Sequence, residues 1–158
     1  RTWRMATQNS QPVKGLEDPA VFGPEDAPLW EGIRQWPGGY IQSVEARSHQ
    51  RRAGKGIVWL STKHAMVAGE GSSDFVRLMG LVDTANGIAP RQPWPFTWGF
   101  PNLDLQIHLH RMPKGQWLGL ETVQQYGDDG IGLSSSVLHD VNGPFGRSEQ
   151  ILTLRKLA

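Results

Sequence analysis

Two periods of apolar residues organise the chain. Leu103, Leu105, Ile107 and Leu109 alternate with Asp104, Gln106, His108 and His110, and this period of two puts four apolar side chains on one face of a strand. Over residues 75–88 the period becomes helical, with Phe75, Leu78, Met79, Val82 and Ala85 recurring at helical spacing. Ser72 and Ser73 offer an N-cap and Asp74 a favourable first-turn charge, while Gly87 and Pro90 supply the stop. One helix of about four turns is expected. Further strands are predicted over 40–49 and 56–61, separated by a basic turn at 50–55, and over 117–126, 131–139 and 145–156. Gly127-Asp128-Asp129-Gly130 and Asp140-Val141-Asn142-Gly143 read as hairpin turns between the last three. The expected order is two strands, a helix, then four strands in an antiparallel meander, which is the α+β class.

Ahead of these elements the pattern fails. Residues 11–39 carry Pro12, Pro19, Pro24, Pro28 and Pro37 with Gly15, Gly23, Gly32, Gly38 and Gly39, which interrupt helices and strand ladders alike. The predicted division is a strand remnant at 1–6 and a Pro/Gly-rich linker arm to residue 39, then one folded domain over 40–158. A sheet of about six strands and one apolar helix bury each other best when the sheet curls around the helix, the architecture of a hotdog fold. Its remaining edges and surface then invite a second copy. The length of 158 residues suits this single core. A net charge of +1 gives no field to draw a nucleic acid. The absence of cysteine excludes disulfides, thiolate metal sites and a cysteine nucleophile. With no apolar run approaching the ~20 residues of a membrane span, the reading is of a soluble, cytoplasmic protein.

The candidate helix is apolar apart from Arg77, Asp83, Thr84 and Asn86. Arg77 and Asp83 lie six positions apart, about 240° around the helix, so they cannot pair. Asp83 is a candidate general base, its carboxylate partly desolvated at an apolar rim; the alternative is a surface aspartate satisfied by backbone amides. Gln150 shares a strand face with Gly146, Ser148, Leu152 and Leu154, so it should point inward, where its amide must be hydrogen-bonded and could hold a water or a carbonyl. Asp104, His108 and His110 share a strand face and could ligate a metal, or simply form the polar outer surface. Ser134, Ser135, Ser136, His139 and Asp140 do not suit a hydrolase triad, because adjacent strand residues face opposite ways. Arg47, His49, Arg51, Arg52 and Lys55 form a basic turn, either a solvated loop or a contact for the phosphates of a nucleotide-bearing substrate such as coenzyme A.

Several ordered motifs carry a resemblance over residues 40–156. They are Val44-Glu45-Ala46-Arg47, Val58-Trp59-Leu60, Leu81-Val82-Asp83-Thr84-Ala85-Asn86-Gly87, Asp104 to Arg111 with Pro113 and Gly115, Trp117-Leu118, Gly130-Ile131-Gly132-Leu133, Leu138-His139-Asp140, Gly143 and Gly146-Arg147-Ser148-Glu149-Gln150. In order and spacing this resembles the C-terminal hotdog of TesB-like acyl-CoA thioesterases. The resemblance implies two hotdog repeats in a chain of roughly twice this length, and hydrolysis of a fatty acyl-CoA by water without cofactor or metal. It implies a catalytic set of an Asp on the helix, a Ser or Thr at the start of the next strand and a Gln on the last strand. These fall on Asp83, Asn102 and Gln150, with Asn102 departing from the hydroxyl residue. Trp98 and Phe100, with Trp94 and Phe96, are expected to line an acyl tunnel, and Arg47, Arg51 and Arg52 to contact coenzyme A. The expected partner is a second hotdog, either an N-terminal half or another copy. The alternatives are a non-catalytic acyl-CoA or acyl-chain binding module, which Asn102 favours, and a metal enzyme using His108 and His110.

Overall fold

Period-two patterning produces a six-stranded antiparallel sheet. The computed structural model describes residue 15 and residues 17–158; the strand expected at 1–6 lies outside them. The strands are β1 (Val44–Arg52), β2 (Lys55–Thr62), β3 (Trp98–Gly99), β4 (Gln106–Leu109), β5 (Leu118–Tyr126), β6 (Ile131–Asp140), β7 (Gly143–Thr153) and β8 (Arg155–Lys156). The main sheet runs β1-β2-β5-β6-β7-β4, and β3 pairs with β8 separately. The first hairpin is longer than its sequence pattern implied. Residues 50–52 stay in the ladder, and the chain turns only at Ala53 and at Gly54, whose φ of +73° suits a residue without Cβ. Residues 40–42, expected in a strand, instead form the short helix α1 (Gly39–Gln42).

Only β5, β6 and β7 make a meander. The segment predicted as a full strand over 103–109 pairs only over Gln106–Leu109, and it lies beside β7 at the far edge rather than beside β5. The other side of β5 is already taken by β2. Leu103 N–H donates to Ile151 O at 2.8 Å and Ile151 N–H donates to Asp104 Oδ1 at 2.8 Å, which fastens the incoming chain to β7.

The single long helix is also divided. Helix α2 (Asp74–Val82) starts at Ser73, whose hydroxyl accepts from Val76 N–H, and buries Leu78, Leu81 and Val82. It packs on β2 and β5, in a core with Val58, Leu60, Leu118, Leu120, Leu138 and Phe145. It ends because Thr84 turns back on it. The Thr84 hydroxyl donates to Leu81 O at 2.7 Å, and Thr84 N–H donates to the same carbonyl at 3.2 Å, an i→i−3 closure that competes with helical continuation. One further turn, α3 (Ala85–Ile88), follows and packs on β5 and β6.

The Pro/Gly-rich arm lies on the domain. Trp30 N–H donates to Ala46 O at 2.8 Å and Ser48 N–H donates to Pro28 O at 3.0 Å, so the arm covers the β1 edge. Farther back, Phe22 packs on His49, Trp59 and His139. Among the described residues, no helix is long and apolar enough to cross a membrane.

A buried ion pair locks the β6–β7 end. Asp140 is fully buried and accepts from Arg111 Nη1 at 2.6 Å and Nη2 at 2.8 Å, and from the backbone N–H groups of Lys114 and Asn142 at 2.8 Å each. Burial pushes the Asp140 carboxyl up, but the hydrogen bonds and the Arg111 charge outweigh it and hold the group below its ordinary value. Its stabilising contribution is therefore full above the unfolded carboxylate value of about 4 and disappears as pH falls through the lower folded value. Asp140→Asn, which leaves Arg111 without its counter-charge, is expected to cost about 3 kcal/mol in urea unfolding at neutral pH. The wild type should lose that advantage over the variant in strong acid.

Candidate active site

The break after Val82 places Asp83 at the C-cap of α2, on the rim of the sheet. Asn102 reaches the same rim from the opposite direction, its backbone bridged to Leu152 on β7. Gln150, two residues earlier on that strand, points inward and is fully buried, as its alternation requires. Asp83 Oδ1 accepts from both amides, from Asn102 Nδ2 at 3.0 Å and from Gln150 Nε2 at 3.0 Å. Gln150 Nε2 also lies 3.4 Å from Asp83 O, while Gln150 Oε1 is buried with no hydrogen-bond partner among the described residues. Two amides, one from a loop and one from a strand, thus converge on one carboxylate oxygen at a helix end. The rim is open: Asp83 is exposed rather than desolvated, because the helix stops before its apolar stripe reaches it.

Two members of this network were not singled out by sequence pattern. Asn86 Nδ2 donates to Asn102 Oδ1 at 3.3 Å, and Asn86 O accepts from Gln124 Nε2 at 2.7 Å. Gln124 is fully buried and its Oε1 accepts from Arg91 N–H at 3.2 Å. The inward parity that identified Gln150 also applies to Gln124, two places after Thr122 on β5, and would have found it.

Beside the cluster lies an apolar cleft of about 420 Å³. Thr84, Asn86 and Arg155 are polar members of its lining, which also includes Phe96, Trp98 and Phe100. Phe100 is buried, Trp98 is largely exposed, and Trp94 stacks on Phe96 outside the lining. The basic residues divide. Arg47 pairs with Glu45 at 2.9 Å and lies over Trp117. Arg51 donates to Ile88 O at 2.9 Å, and its guanidinium carbon lies 3.7 Å from the centre of the Trp30 ring; burial lowers its pKa. It is therefore held against the fold. Arg52 stays exposed and lines a depression of about 390 Å³ at the β1–β2 turn with His49 and Lys55.

His108 and His110 are exposed on the edge strand, whereas both Asp104 oxygens are occupied, Oδ1 by Ile151 N–H and Oδ2 by Gln106 Nε2 at 3.2 Å. Among the described residues no cluster of three or more His, Asp or Glu is placed to hold a metal. His139 faces Glu121 at 3.3 Å and Asp140 faces Arg111, so these residues form no triad with Ser134.

A family model described as "Acyl-CoA thioesterase C-terminal domain" matches residues 24–154. No curated protein matches in sequence. Solved structures that resemble the fold include a protein assigned as a thioesterase II from Thermobifida fusca, at 14% identity and a TM-score of 0.63, covering 96% of this chain and 59% of that one. A hot dog-fold protein from Alicyclobacillus acidocaldarius has 13% identity and a TM-score of 0.64, with 96% and 60% covered. The acyl-CoA thioesterase II TesB2 from Mycobacterium marinum has 15% identity and a TM-score of 0.56, with 96% and 61% covered. These likenesses show a hotdog fold, and the chain spans about three-fifths of the length of each.

Because Asp83 is exposed and asparagine keeps an acceptor oxygen for both amides, Asp83→Asn is expected to unfold within about 0.5 kcal/mol of the wild type. Urea titrations of the two proteins check this, and they separate any loss of function in the variant from loss of fold.

Proposed function

The chain belongs to the acyl-CoA thioesterase C-terminal domain family, and from that premise we propose that it hydrolyses an acyl-CoA thioester by activating water. The observation that carries this reading is the convergence of the Asn102 and Gln150 amides on one oxygen of Asp83, each at 3.0 Å. Two donors on Oδ1 fix the carboxylate plane and leave the other oxygen as the acceptor for a water proton. Asp83 is the base, and the hydroxide equivalent attacks the thioester carbonyl. Asn102 and Gln150 are positioning groups for the carboxylate.

The acyl group enters the apolar cleft against Trp98 and Phe100, and the phosphates of coenzyme A meet the basic hairpin at Arg52 and Arg47. Arg51 supports this end by holding Trp30 and α3 in place. Two features favour a second hotdog as partner. The carboxylate is exposed in this chain, and the β4 edge is only four residues long and carries the exposed His108, with the exposed His110 just beyond it. A second hotdog laid along that edge would cover the rim and exclude water. Asn102 favours a second reading, an acyl-CoA binding module, because an amide cannot pass a proton at a single atom as a hydroxyl does.

Thiol release from a series of acyl-CoAs decides between them. Hydrolysis by the wild type should persist in the presence of a chelator and fall by about 10²–10⁴-fold in Asp83→Asn. Equal release by the two proteins would overturn the assignment of the base. Acyl-CoA binding with no release by the wild type would establish the binding module.

A further inference from the structure

The apolar cleft has two walls, and the loop with Phe96 and Phe100 supplies only one. The other comes from the Pro/Gly-rich arm and the helix α1 that follows it: Trp30, Ile33 and Trp36 of the arm and Ile41 of α1 line the cavity. The arm is held in place by named contacts. Trp30 is bonded to β1 through its backbone and lies under Arg51, while Ile33 is buried in the core. Trp36 is gripped most closely. Its ring centre lies 5.3 Å from that of Phe96 and 5.9 Å from that of Phe100, and Gln42 Nε2 donates to its carbonyl at 2.5 Å. Against α3, the indole sits so near Gly87 that a Cβ there would come within 3.3 Å of it. A side chain at 87 would press on the indole by a few tenths of an ångström.

Resting on the thioesterase reading, we propose that the arm is a substrate-specificity element: Trp36 closes one side of the acyl cleft and limits the length of acyl chain that it takes. Three observations support an acyl chain as the occupant. The cleft is continuous with the candidate catalytic cluster through Asn86, which lines the cavity and donates to Asn102. Most of its lining is aromatic or aliphatic, with Thr84, Asn86 and Arg155 as its polar side chains. Its volume of about 420 Å³ lies within the range of small-molecule sites, and the rings of Trp36, Phe96 and Phe100 pack together in its wall.

Binding and turnover of short-, medium- and long-chain acyl-CoAs test this. Binding is measured by calorimetry in the Asp83→Asn background, so that it does not depend on hydrolysis; turnover is measured with Asp83 intact. Trp36→Ala should raise long-chain relative to medium-chain affinity about tenfold or more, the effect of admitting about two further methylenes. Ile41→Trp, at a half-buried position in the lining, should move the preference toward shorter chains even if Trp36→Ala fails to fold. Binding that shifts while no variant or wild type turns over would retain the arm's role and remove the thioesterase reading. An unchanged chain-length profile in folded Ile41→Trp would overturn the arm's role while leaving hydrolysis intact. A change in association state instead of chain-length preference would assign the cleft to a protein segment and overturn the proposal.

Discussion

The site depends on the point where helix α2 stops. If the helix ran on through residue 88 as its apolar spacing suggests, Asp83 would remain in a helical turn and its carboxylate would follow the helix surface. Where it stops, the Thr84 N–H and hydroxyl both donate to Leu81 O, an i→i−3 closure of the last turn. The chain then bends over the end of β7, and Asp83 meets Gln150 there, 67 residues later in sequence. Beyond the bend Asn86 meets Asn102 and lines the cleft. The turn closed at Thr84 thus stands between the acid and the mouth of the apolar cavity.

Beneath this rim the sheet is unusually polar. Gln124, Ser134 and Gln150 form one cross-strand row, and Thr122, Ser136 and Ser148 form the next, all of them buried. Thr122 and Ser136 satisfy each other at 2.7 Å, but the hydroxyls of Ser134 and Ser148 and the Oε1 of Gln150 have no partner among the described residues. Each such atom costs about 1–3 kcal/mol relative to a bonded one. Apolar residues in these rows would pack the sheet against the helices more favourably. Their polarity holds an amide at the site instead, and stability is recovered at the other end of β6 by Asp140 and Arg111.

Sequence pattern made most strands legible, because alternating burial leaves a direct trace and the two glycine- and aspartate-rich turns mark their hairpins. It also placed Asp83 as an odd charge on an apolar helix and Gln150 as an inward amide. What it missed depends on geometry without a local signature. Alternation at 103–109 identifies a strand but not its neighbour, so its crossing to β7 could not be read. Thr84 can extend a helix or end it, according to a side-chain rotamer that composition does not encode. In the arm, the density of proline and glycine obscured the apolar residues Trp30, Ile33 and Trp36, which fold back on the domain.

Asn102 is where physical accounting and family pattern diverge most. A hydroxyl at this position can donate one hydrogen bond, whereas the Asn102 amide donates to Asp83 Oδ1 at 3.0 Å and to Asp104 O at 3.2 Å, and its oxygen accepts from Asn86. The residue therefore joins helix end, loop and edge strand in one plane, a task a serine could meet only in part. It gives up the ability to accept and return a proton at one atom. In a hydrolytic cycle that burden passes to Asp83 alone, whose free oxygen must take the proton from water and later deliver it to the leaving thiolate. Asparagine here thus holds the carboxylate with one more amide, and under the proposed hydrolysis the acid–base work would fall on one exposed residue.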